Sequence, residues 1–176
     1  MFKGIKSKSI NKAIVNHLKQ RKPYLNQIKL NKIAVIVDAR KEIDVVSLVR
    51  FSSEFNIEPH NFSVIGLKTA KSLKDHVETD SNRIYYDDSH FSISGDFNTD
   101  LLKSFVNDDS IDVLINFYSV DDPYLNLVAS ASKAKFKVGF MSVNNEINDL
   151  VLDVSENKTD QFVSELKKYL KILKIV

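Results

Sequence analysis

A chain of 176 residues suits one domain with a short appendage, and an apolar content of 43% is enough to bury a core of that size. Four glycines and three prolines exclude a collagen-like or long low-complexity chain; the absence of cysteine excludes disulfides, thiolate nucleophiles and cysteine-held zinc together, and fits a reducing compartment. The net charge of +2 hides a split: residues 1–37 hold nine basic residues and no acid, so the rest carries −7, the pattern of a basic arm on a mildly acidic body.

Residues 2–21 read as a helix in which Ile10, Ile14 and Leu18 recur every four positions, with Ala13 and Val15 beside them. Lys3, Lys6, Lys8, Lys12, Lys19, Arg21 and Lys22 make this opening strongly basic, and Pro23 ends it by disfavouring the helical conformation of Lys22. After the linker "YLNQIKLN", the continuous apolar run of "KIAVIVDA" (32–39) predicts a strand buried on both faces. "KEIDVVSLVRFSSEFN" (41–56) reads as a helix with Val45, Leu48, Val49 and Phe55 inward. Strands follow at "NFSVIGLK" (61–68) and "RIYYDD" (83–88), with a short extended piece or edge at "HFSISG" (90–95). "NTDLLKSFVND" (98–108) starts a short helix from an N-cap at Thr99 or Asp100. "IDVLINFY" (111–118) is another buried strand. In "DDPYLNLVASASKA" (121–134) Asp122 caps a helix whose first position is Pro123. "FKVGFM" (136–141) and "DLVLDV" (149–154) are strands, and "TDQFVSELKKYLKIL" (159–173) is an amphipathic closing helix on Phe162, Leu166, Leu170 and Leu173.

Alternating strands and helices imply βαβ units. The expected fold is a Rossmann-like three-layer α/β sandwich with a mainly parallel sheet over 32–176, preceded by a basic helical arm and linker over 1–31. Ligands of such sheets sit beyond the carboxyl ends of the strands, where strand order reverses. With an order 3-2-1-4-5, Asp38, Arg40, Lys41, Asn116, Tyr118, Ser119, Asp121 and Asp122 share one rim, and these form the candidate crevice. "VDARKEID" lacks the glycines through which a backbone approaches a pyrophosphate, and no Gly-Lys-Ser/Thr loop occurs, so NAD, FAD and ATP are disfavoured and no cofactor is expected.

Asp38 closes the first strand, and Asp121 and Asp122 follow the central one just before a helix. This layout resembles that of NYN/PIN-type ribonucleases, whose "SGDxDF" element is similar to "YSVDDPYLNLVASASKAKFKVGF" over about 23 residues. The resemblance implies a metal-dependent hydrolase centred on Asp38 and Asp122. Val120 in place of the glycine, Pro123 after the acids and the lack of a further placed acid depart from it, since two-metal hydrolysis needs several carboxylates. "DVLINFYSVDDPYLNLVASASKAKFKVGF" is also similar in layout to an element of heptosyltransferase-type glycosyltransferases, a two-domain architecture for which this chain is too short. Over nearly its full length the chain resembles a family of short bacterial proteins with no assigned function, through the basic helix, Asp112 to Ile115, Tyr118, Leu125 to Gly139 and Asp149 to Val154. His17, His60, His76 and His90 lie in separate elements, so no metal site is expected. Ser130, Ser132 and Lys133 of "SASKA" fit close helix–sheet packing better than a catalytic dyad.

Four readings fit the opening segment 1–22: a helix docked by its apolar stripe with the lysines in solvent, an arm for RNA or the ribosome, an anionic membrane-surface anchor, and an organelle-targeting peptide. No apolar run approaches the roughly 20 residues that span a bilayer, and the opening lacks the apolar centre of a secretory signal. A cytoplasmic location, with peripheral membrane attachment as the variant, is the expectation. The sequence favours a non-catalytic binding or accessory module whose basic helix contacts an anionic partner, with the metal-dependent hydrolase as the alternative.

Overall fold

The computed structural model describes residues 2–24, 26–42, 45–74 and 82–175. Its element order is α1 (Phe2–Gln20), β1 (Ile33–Val37), α2 (Val45–Glu54), β2 (Phe62–Leu67), α3 (Ala70–Lys74), β3 (Arg83–Tyr86), α4 (Asp100–Asn107), β4 (Val113–Phe117), α5 (Pro123–Ala131), β5 (Phe136–Phe140), β6 (Leu150–Leu152) and α6 (Thr159–Ile172). The six strands form one sheet in the order β3-β2-β1-β4-β5-β6, and every pairing is parallel. Order therefore reverses between β1 and β4, where Ile33 faces Val113 and Val37 faces Phe117.

The period-2 alternation of the strands divides the core in two. Ala34, Ile36, Ile65, Leu67 and Leu114 face a layer built from α4, α5 and α1. Ile33, Val35, Val37, Val113, Ile115 and Val138 face the layer of α2 and α6, where Phe51, Phe117, Phe140 and Phe162 pack with ring centroids 4.8–6.0 Å apart. This is the three-layer sandwich expected from the sequence. The side chains of Val45 and Val49, and all of His76, lie outside the described residues.

Helix α1 adds to the first layer: Ile10 and Ile14 are buried against α5 in the same cluster as the sheet. At its far end Arg21 donates to Asp149 (2.5 Å) and to the Ile147 carbonyl (3.3 Å), and near its start Lys6 donates to the Asp88 carbonyl (2.6 Å). The linker that follows is tied down as well. Asp112 accepts the backbone N–H groups of Asn31 (2.8 Å) and Lys32 (2.9 Å), and Leu30 N–H reaches the Ile175 carbonyl. The stretch 90–95, expected as a short extended piece or an edge, lies outside the six-stranded sheet, and an isolated antiparallel bridge between Phe91 and Phe97 closes it into a small hairpin. The helix at Ala70–Lys74 has no counterpart in the sequence reading.

Candidate functional site

The crevice at the β1/β4 switch point is closed by one side chain. Asp38, at the end of β1, is buried, with its carboxylate only 3% exposed. Arg40, two residues on, grips it with both arms of the guanidinium: Nε to Oδ1 at 2.7 Å and Nη2 to Oδ2 at 2.9 Å. The third arm, Nη1, reaches Oδ2 of Asp122 at 2.8 Å, across 82 residues of chain. The other oxygen of Asp122 accepts the backbone N–H groups of Tyr124 (2.8 Å) and Leu125 (3.2 Å), so Asp122 is the N-cap of α5 with Pro123 at the first position. Burial pushes the Asp38 carboxyl up, but the Arg40 hydrogen bonds outweigh this and hold it below the usual range. Arg40 is correspondingly raised, chiefly by its bonds to Asp38.

The other predicted rim residues divide. Lys41 and Ser119 stay at the rim and share Glu156: Ser119 Oγ donates to its carboxylate and Lys41 Nζ lies 3.7 Å away. Asp121 accepts from the Asn126 amide at 2.5 Å, and Asn126 in turn accepts from the Tyr118 hydroxyl at 3.0 Å. Tyr118 and Asn116 point into the core beneath α5. Asn116 is fully enclosed and donates to Asn148 at 2.7 Å. Gly139, its partner on β5, makes that possible, because a Cβ there would lie 2.4 Å from the Asn148 amide nitrogen. Asp38 and Asp122 thus come together, but around a guanidinium. Among the described residues no group of three or more His, Asp or Glu side chains is placed to hold a metal ion.

The basic residues of the opening segment also divide. Lys6 and Arg21 serve docking, Lys6 lying 5.6 Å over the Tyr124 ring. Lys8, Lys12, Lys19 and Lys22 are exposed and make no ion pair among the described residues. At about 100° per residue, Lys8, Lys12 and Lys19 fall within roughly 40° of arc and span roughly 16 Å along the helix, opposite Ile10 and Ile14. The side chain of Lys3 lies outside the described residues.

The chain matches a family of unknown function, DUF6913, over residues 6–173. It belongs to that family. A search of the curated proteins gave no match. The match takes in α1 from Lys6 onward together with the whole sheet, so the helix and the sandwich form part of one family unit. No helix among the described residues is long and apolar enough to cross a membrane.

One ionisable side chain escaped the sequence reading. Lys137, on β5, is wholly buried under the last turn of α5, and its Nζ donates to the carbonyls of Ala129 (2.7 Å) and Ser130 (3.2 Å). Burial, with the nearby charge of Arg21, pushes it down to about 7. Two carbonyls match the two N–H bonds of a neutral amine, and helix C-terminal carbonyls are the groups that need donors. His17 on α1 is lowered by burial and then by Lys137. The alternation of "FKVGF" signals that Lys137 shares a face with Gly139, but only the docking of α5 and α1 turns that face inward.

Proposed function

We propose that the protein is a binding module that presents the outer face of α1 to a polyanion, with single-stranded RNA as the partner that suits it best. The observation that carries this reading is the exposed lysine row Lys8, Lys12 and Lys19, without an ion pair among the described residues, on a helix fixed to the body by Ile10, Ile14 and Arg21. A charge row on a rigid helix follows phosphates without losing much freedom on binding, and each neutralised phosphate releases a counterion. A membrane surface suits the helix less, because the residues that would insert into lipid, Ile10 and Ile14, are already buried against α5. Hydrolysis centred on Asp38 and Asp122 is supported less still, since Arg40 takes up the carboxylate oxygens a divalent cation would need.

The test is titration of poly(U) with the full chain at several salt concentrations. Binding should weaken with salt with a log–log slope of about −2 for three contacts on a single strand. The triple substitution Lys8→Gln, Lys12→Gln, Lys19→Gln should remove most of both the affinity and the slope. Wild-type affinity in that variant, or preferential capture of anionic vesicles over RNA, refutes the reading.

A further inference from the structure

We propose that the cleft between α1 and the 91–97 hairpin is a nucleotide subsite, taking one unstacked base and its phosphate from a single strand lying along α1; this rests on the polyanion reading above. The cleft encloses about 590 Å³, within the range of small-ligand sites. Its helical wall carries Lys12, Asn16 and Gln20, and its other wall carries Phe97 and Lys103. Lys12 belongs to both the lysine row and the cleft, so the two surfaces are continuous.

The walls are held in place. Gly95, at φ +92°, brings the hairpin tip so close to α1 that a Cβ there would meet Ala13 Cβ at 3.2 Å. Left-handed backbone and close approach both call for glycine at this position. Asp96 also lines the cleft; it accepts from the Ser94 hydroxyl at 2.5 Å, which ties its carboxylate into its own turn but leaves its negative charge, so Lys12 and Lys103 outweigh it by one positive charge. Among the described residues Lys103 is tethered by a solvent-exposed pair with Asp100 at 3.6 Å.

The chemistry suits a nucleotide. Phe97 is half-buried and braced against Phe91 with centroids 5.6 Å apart, so its ring offers a firm stacking edge. Asn16 and Gln20 are exposed amides, each with a donor and an acceptor for a base edge. Lys12 and Lys103 supply the positive charge for a phosphate. Duplexes keep their bases stacked and paired, so only a single strand can fill the cleft.

The experiment is fluorescence anisotropy of the full chain with a labelled single-stranded oligoribonucleotide and with a duplex of equal length. Three variants are compared: Phe97→Leu, the pair Asn16→Ala with Gln20→Ala, and the pair Lys8→Gln with Lys19→Gln, which lies outside the cleft. The two cleft variants should weaken single-strand binding at least about fivefold, with duplex binding and the salt slope unchanged. The lysine pair should weaken both ligands and flatten the slope. If the lysine pair weakens binding and both cleft variants behave as wild type, the subsite is refuted and the polyanion reading stands. If the wild type binds neither ligand, both fall. Should Phe97→Leu lower the melting temperature, the exposed amide pair decides the outcome alone.

Discussion

Lys137→Met removes a buried amine whose protonation is coupled to folding. In the native chain the lysine is pushed down to about 7 from an ordinary value of 10.5. Between these values the unfolded chain holds a proton that the folded chain does not, so stability rises with pH across that window and is flat on either side of it. The slope is about 1.4 kcal/mol per pH unit, or roughly 4 kcal/mol between pH 7 and pH 10. Methionine has no such dependence, but it leaves the Ala129 and Ser130 carbonyls without the amine, at about 1–3 kcal/mol each. Near pH 7 the two effects largely offset each other. Near pH 10 the lysine is the better residue by the full value of its hydrogen bonds. Urea unfolding of both proteins from pH 6.5 to 10 measures the difference directly, and the six tyrosines, common to both chains, cancel. Wild-type and variant stability curves that run parallel within about 1 kcal/mol across the window refute the argument.

Two further outcomes follow from the crevice and from the helix. Arg40→Met should cost about 2–4 kcal/mol at pH 7, the low side of a broken buried pair because the guanidinium is a third exposed, and urea unfolding reads it. The Asp38 carboxyl is lowered in the native chain and so contributes stability above its ordinary value of 3.8; the gap between wild type and variant should therefore close as pH falls below about 4. Ile10→Ala should cost about 2–5 kcal/mol, as for a fully enclosed residue, whereas Val15→Ala on the exposed side of α1 should cost well under 1 kcal/mol; equal small effects in thermal unfolding would mean that α1 is not part of the core.

What the sequence determined by itself was whatever rests on neighbours a few residues apart. The apolar run Ile33–Val37 marks a strand buried on both faces because a parallel sheet covered by helices leaves no wet side. Asp122 before Pro123 marks a helix start because a carboxylate can satisfy N–H groups two and three residues ahead, as it does for Tyr124 and Leu125. The strand alternation, with Asp38 at the end of β1 and Asp122 between β4 and α5, was enough to bring these two acids to one rim. The tertiary structure decided what that rim is. Whether two carboxylates separated by 84 positions hold a cation of their own chain depends on where the crossovers place Arg40, and no local pattern encodes a contact across 82 residues. The same holds for Asn116 and Tyr118: strand period gives their shared face, but whether α5 covers it is a packing outcome. Lys137 is the sharpest case, since a lysine in a strand reads as a solvent-facing residue until α5 closes over it. The opening helix shows both sides. Its period placed Ile10 and Ile14 together and three lysines opposite, and only the partner surface of α5 decided that the apolar stripe would be spent within the molecule, leaving the lysines outward.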